Sequence, residues 1–186
     1  VASAVTLGIA YSFGAFFESM AEEFDTNAGA TAVIFGLTTF TFFALSLVTG
    51  RLADRFGPRL VLAIGAVGLF VGLLLTSRVE TITAGYVTYG AGVGVAAACG
   101  YVPMVSTVGG WFVHHRAMAV GLAVAGIGVG TLVLSPLSAA LIDEIGWRDT
   151  YVVYAIGGAV LLLACIPLMD RPPGHAAVRQ PSRQRE

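Results

Sequence analysis

Six apolar runs, each near the roughly 20 residues that a helix needs to cross a bilayer, are separated by short breaks that hold almost every charge. The runs predict spans over Val1–Met20, Ala30–Gly50, Pro58–Ser77, Thr83–Gly110, Ala117–Ile142 and Thr150–Met169. The breaks read "AEEFD", "GRLADRFGPR", "SRVE", "HHR" and "DEIGWRD", and a polar stretch follows from Asp170. Backbone N–H and C=O groups in lipid must be satisfied within the spanning segment, so such runs fold as helices. A β-barrel would need segments of about ten residues with alternating polarity, and none is present. Only 11% of the 186 residues are charged, against about a quarter in a soluble domain, and mean hydropathy is +0.84. The expected fold class is therefore an all-α integral membrane protein, a bundle of six transmembrane helices whose surroundings are membrane lipid.

Several functions drop out on composition and motif. Net charge is −1 and the basic residues are ten arginines with no lysine, so no basic field exists to hold nucleic acid. His114, His115 and His175 make no metal-ligand spacing with Cys99 and Cys165, and no metal or cofactor is expected. The glycine runs "GAGVG" and "GIGVG" lie inside spans with no strand before them, which points to close helix packing instead of a nucleotide loop. The chain has neither G-x-S-x-G, H-E-x-x-H nor paired intramembrane acids, so an enzyme is not expected.

Arginine distribution predicts the orientation. The breaks after the second and fourth spans, with the tail, hold Arg51, Arg55, Arg59, Arg116, Arg171, Arg179, Arg183 and Arg185, whereas the other breaks hold Arg78 and Arg148. The positive-inside rule puts the first group, and both chain ends, on the cytoplasmic side, and the plasma membrane is the expected location. The chain opens at Val1 without an initiator Met or a basic leader, and so reads as part of a longer one. The tail 170–186 is expected to be a polar cytoplasmic segment that starts a central loop.

One break has an echo. "LADRFGPR" (Leu52 to Arg59) and "LIDEIGWR" (Leu141 to Arg148) share L-x-D-x-apolar-G-x-R, 89 residues and three spans apart. Three is odd, so the copies face opposite sides of the membrane, the mark of a 3+3 inverted repeat found in secondary transporters. In the first copy Gly50 and Gly57 suit a tight turn and close helix approach. Asp54 can cap a helix or bind a guanidinium, while Arg55 and Arg59 can pair with carboxylates or carbonyl ends. Together they suit a latch that holds two bundles in one state and releases them in another.

"GRLADRFGPRLVL" resembles the loop between helices 2 and 3 of the major facilitator superfamily. "GYVPMVSTVGGWFVHHRAMAVGLAVAGIGVGTLVLSPL", "GWRDTYVVYAIGG" and "YSFGAFFESMAEEF" are similar to its monocarboxylate transporter and oxalate/formate antiporter group. The resemblance covers residues 1 to about 170 and implies half of a twelve-helix transporter, with the C-terminal six-helix half as partner. It further implies small organic anions as substrates, rocker-type alternating access, and a cytoplasmic gate of Gly50, Asp54, Arg55, Gly57, Arg59 and Arg116. Tyr86 stands where many members carry an arginine, which weighs against the alternatives of a sugar or drug carrier; a non-transporting membrane scaffold is the other alternative.

Sites of this architecture lie near the midplane between halves. The resemblance gives that face to the first, fourth and fifth spans, where Tyr11 and Gly14, then Tyr89, Tyr101 and Pro103, are the cavity candidates. A tyrosine supplies an O–H donor and a flat apolar face, suited to a carboxylate with a hydrocarbon end. Glu18 is read as an interfacial acid, and substrate cations are expected mainly on the other half, since no basic residue lies mid-span. The orientation is testable by cysteine labelling from outside intact cells: position 145 should react and positions 55 and 180 should be protected.

Overall fold

The computed structural model describes residues 1–26, 28–112 and 114–169; the tail expected over 170–186 lies outside them. The described residues form α1 (Ala2–Tyr11), α2 (Phe13–Glu23), α3 (Ala28–Phe56), α4 (Pro58–Thr76), α5 (Ile82–Trp111) and α6 (Arg116–Cys165), with a 3₁₀ turn over Ile166–Leu168.

The first span differs from the single helix expected. It breaks at Ser12, where the Ser12 hydroxyl donates to Ile9 O at 2.9 Å and Ala15 N donates to Ser12 O at 3.0 Å. A serine can bond its own preceding turn, and here the backbone tightens around it. The second break is also shorter than expected. Arg51 to Phe56 continue α3, leaving Gly57 between that helix and α4. Gly50 therefore makes no turn; it is helical, and a Cβ there would meet Val102 Cγ1 at an ordinary 3.7 Å.

The 50 residues of α6 would be about 75 Å long if straight, far more than a bilayer's hydrocarbon core. Ser138 Oγ and Tyr154 Oη instead lie 2.7 Å apart, and Tyr154 Oη donates to Leu134 O at 3.1 Å. Residues 16 and 20 apart can meet only if the helix doubles back between them, and Gly146 stands at the midpoint with φ 80°, ψ 162°. So α6 is two antiparallel segments, and the described residues make six helical spans.

The two copies of the repeated motif share this backbone. Gly57 has φ 97°, ψ 156° and Gly146 has φ 80°, ψ 162°, a region essentially closed to residues with a Cβ. Each glycine turns one span straight into the next. After Gly57, Pro58 occupies the first helical position, where its missing N–H has no partner to lose.

The arginines that end the two copies are related in the same way. Arg59, opening the third span, donates through Nε to Met169 O at the end of the sixth. Arg148, opening the sixth span, donates through Nη1 to Ser77 O at the end of the third, at 3.0 Å. Each satisfies a carbonyl that its partner's helix end leaves without an intrahelical donor. Spans three and six are thereby pinned at both ends.

Helix packing follows the same symmetry. The second span lies on the fourth, with Gly94 against Thr41 and Thr49 Oγ1 donating to Ala98 O at 3.1 Å. Its repeat counterpart is the fifth span on the first, where Gly130 abuts Ala4. The third span meets the fourth where Gly72 faces Gly92, and the sixth meets the first where Gly158 faces Ile9 and Val5. This is the neighbour pattern of a 3+3 inverted repeat. Lipid offers no hydrophobic drive between helices, so close contact at small residues supplies the attraction.

An aromatic column crosses the bundle: Trp147, Tyr151, Tyr89 and Phe13 follow one another with ring centroids 5.8, 5.6 and 5.1 Å apart. Phe16 stacks on Tyr151 at 4.1 Å. Outward, the bundle shows Phe40, Leu47, Leu122 and Leu132, each at least 70% exposed, as only an apolar solvent or an apolar partner tolerates.

Two stability predictions follow from these contacts. A Cβ on Gly92 would stand 2.3 Å from Gly72 Cα, whereas one on Gly14 would meet nothing within 4 Å. Gly92→Ala should lower the thermal midpoint in detergent markedly, by about 1–3 kcal/mol of overpacking, and Gly14→Ala should leave it unchanged. Arg148→Gln should cost about 1–2 kcal/mol in the same measurement, more than Arg78→Gln, because it removes a helix-end partner as well as an ion pair.

Candidate functional site

The second and fourth spans run in the same direction, so the end of α3, the end of α5 and the start of α6 gather at one end of the bundle. That end carries the residues expected to form a gate. Asp54 and Arg55 are exposed on the last turn of α3, and the Arg55 guanidinium carbon stands 5.3 Å from the Phe56 ring centre. Gly57 makes the turn and Arg59 reaches across to Met169. Arg116 opens α6. Within this half, then, Arg59 works as a helix-end partner, and Gly50 as a packing position against Val102.

The cavity candidates separate into two groups. Tyr11 is 50% exposed and Gly14 is open; with exposed Glu18 they form one stripe at helical spacing down the first span. Phe35 of α3 flanks it, its ring centre 6.1 Å from that of Tyr11. A carboxylate and a phenol on an uncovered membrane-span face are costly against lipid tails, so this face suits water or a further protein wall.

Tyr89 and Pro103 do not share that exposure. Tyr89 is fully buried inside the bundle, its hydroxyl donating to Ile9 O at 3.3 Å and its ring between Phe13 and Tyr151. It ties the first span to the fourth and lines no open surface. Pro103 is likewise buried, and α5 stays helical through it. Both residues were expected at the cavity because the resemblance gives that face in part to the fourth span, but helical rotation turns them to the interior.

Tyr101 is half-buried, its ring 6.0 Å from Phe42 in an edge-on contact. It opens on a cleft of about 670 Å³ between the last third of α5 and the start of α6. Val102, Val105 and Ser106 continue the α5 wall, while Arg116, Ala117 and Val120 form the other. The structure thus brings together Tyr101 and Arg116, which the sequence placed in different roles. Ser106 was not anticipated; five residues after Tyr101 it lies well around the helix from it, and its helical neighbour in the lining is Val102, four residues before. The guanidinium packs over Gly109, whose Cβ, if present, would stand 3.2 Å from Arg116 Nε.

At the opposite end a second polar cluster was also not anticipated. Glu23 Oε2 accepts from Trp147 Nε1, and its Oε1 accepts from Arg148 Nε at 3.2 Å and Nη2 at 2.7 Å. The Arg148 guanidinium carbon stands 4.5 Å over the Trp147 ring. With the Ser77 carbonyl this clasp joins the ends of the first, third and sixth spans. Among the described residues no group of His, Cys, Asp or Glu could hold a metal ion, and Cys99 and Cys165 are free thiols.

Comparison with known proteins places these features. The Major Facilitator Superfamily profile matches residues 1–185. Human monocarboxylate transporter 11 is 33% identical over 170 residues, covering 91% of this chain and 34% of that protein. Zebrafish (Danio rerio) monocarboxylate transporter 12-B is 28% identical over 172 residues, with 92% and 36% covered. The chain therefore spans about a third of the length of these relatives. Among solved structures, the proton:xylose symporter XylE bound to 6-bromo-6-deoxy-D-glucose superposes with a TM-score of 0.68 at 18% identity, over 96% of this chain and 45% of that one. A partially occluded inward-open XylE from E. coli gives 0.65 at 21% identity, over 96% and 49%. These two share the fold. The chain belongs to the Major Facilitator Superfamily, a family of membrane transporters and not of enzymes.

Proposed function

We propose that this chain forms one half of a secondary transporter for small organic anions, such as monocarboxylates or oxalate and formate, that works by rocker-type alternating access. The observation that carries the proposal is the uncovered stripe of Tyr11, Gly14 and Glu18 on a membrane span. A second six-helix half would cover that face and leave an aqueous path between the two walls. The names of the relatives at about 30% identity favour carboxylates, and so does the cleft that Arg116 and Tyr101 both line. A sugar or a drug as substrate has only the shared fold behind it.

In this reading Tyr11 and Gly14 line the path, and substrate cations come mainly from the second half. Asp54, Arg55 and Arg116 close the end that faces the cytoplasm, with Gly57 and Arg59 fixing the turn that presents them. The protein would sit in the plasma membrane. Opening and closing then exchange contacts of these charges with the opposing half, and each such exchange needs only a few kcal/mol to reverse the balance of states.

The test is uptake of labelled lactate, formate and oxalate into vesicles. The product of the complete reading frame should show saturable uptake, and the 186-residue chain alone should insert without transporting. In the complete carrier Asp54→Asn should slow turnover roughly ten-fold with little change in KM, because it shifts state populations and touches no substrate. Saturable uptake by the chain alone would overturn the half-transporter proposal, and a normal rate with Asp54→Asn would remove the gate.

A further inference from the structure

We infer that the cleft between α5 and α6 is a separate binding site for a carboxylate carried on a short hydrocarbon, at the end of the bundle and not at the midplane. The inference rests on the organic-anion reading for its ligand class, but the site itself stands on the cleft's own chemistry. The cleft has one cation, two hydroxyl-bearing side chains, three valines and an alanine, and no acidic side chain.

Arg116 makes no side-chain hydrogen bond or ion pair with any described residue. Its planar guanidinium offers five N–H donors in a fork that matches the two oxygens of a carboxylate. The absent side chain at Gly109 lets the arginine lie against α5, with its Nε 3.2 Å from where a Cβ would be. A guanidinium held against a helix loses less freedom on binding than one extended into water.

The rest of the cleft fits the other end of such a ligand. Val102, Val105 and Val120 give an apolar wall, and Ser106 and Tyr101 add hydroxyl groups to the same lining. Phe42 meets the Tyr101 ring edge-on, with the ring centroids 6.0 Å apart. One cation suits a monoanion better than a dianion, and a volume of about 670 Å³ accommodates a small acid with room for water.

Because Arg116 also lies at the proposed gate, an occupied cleft would engage the same guanidinium that closing requires. A carboxylate waiting there would favour the open state and be positioned to enter the path when it opens. The chemistry admits two sources, a soluble monocarboxylate and a membrane-borne fatty acid.

The experiment is equilibrium binding of radiolabelled butyrate to the chain in nanodiscs of zwitterionic lipid, with butyramide and oleate as competitors. Butyrate should bind saturably and butyramide should not compete. Arg116→Gln should weaken binding by about ten-fold or more, the loss of a charge-assisted contact, with an unchanged thermal midpoint. Arg116→Lys should recover only part of the affinity, since the charge returns without the fork. Gly109→Ala, which displaces the guanidinium without removing it, should weaken binding several-fold. Competition by oleate at far lower concentration than butyrate would identify the membrane as the source and still support the site. No saturable butyrate binding, equal competition by butyramide, or unchanged affinity in Arg116→Gln would overturn it. Those outcomes leave the transport proposal standing if the complete carrier takes up lactate, and failed uptake with intact cleft binding would overturn transport alone.

Discussion

Gly72 and Gly92 bring the backbones of α4 and α5 so near that a methyl group on either would overlap the other. Most of the bundle depends on contacts of this kind. In lipid an exposed leucine is already solvated, so burying it gains little, and attraction must come from dispersion between closely fitted surfaces. Small residues permit that fit. The fourth span shows it best, for Gly72 approaches its Gly92, Thr41 its Gly94 and Thr6 its Gly100, so three other spans settle on one glycine-rich helix.

Polar groups inside the bundle are held by the same economy of space. Thr6, Thr38, Thr76 and Ser138 each return a hydroxyl hydrogen to the carbonyl four residues earlier. No described buried side-chain nitrogen or oxygen is left without a hydrogen-bond partner. Tyr89 and Tyr154 go further and bond across spans, to Ile9 O and to Ser138 and Leu134 O. Against this satisfied interior, Tyr11, Gly14 and Glu18 leave a phenol and a carboxylate on an uncovered face, and the proposed function rests on that contrast.

The inverted repeat also gives the charged turns a double meaning. Arg59 and Arg148 occupy matched positions, and each serves the carbonyl end of the other's span. The surroundings then diverge. Arg148 is drawn into a clasp with Glu23 and Trp147, while the Arg59 end also carries Asp54, Arg55 and Arg116 on its surface. One end of the half is therefore closed by the clasp of Glu23, Trp147 and Arg148, and the other gathers several exposed charges around one turn.

The sequence alone determined the membrane class, the six crossings, the repeat and the family, because each depends on properties that local residues carry by themselves. Apolar run length, charge placement and the L-x-D-x-apolar-G-x-R echo do not need a partner to be read. The turn at Gly57 was legible too, whereas Gly50, read the same way, is helical, and the turn at Gly146 came only with the structure. Tertiary structure decided which way each side chain faces. The resemblance put Tyr11, Tyr89, Tyr101 and Pro103 in one class, and packing turned Tyr89 and Pro103 inward and left Tyr11 out. It also joined Tyr101 to Arg116, Glu23 to Arg148 and Arg59 to Met169, pairs separated by 15, 125 and 110 residues. Helix periodicity fixes angles around one helix, but the rotation of that helix against its neighbours is set by the glycine contacts between them, and those exist only once the chain has folded.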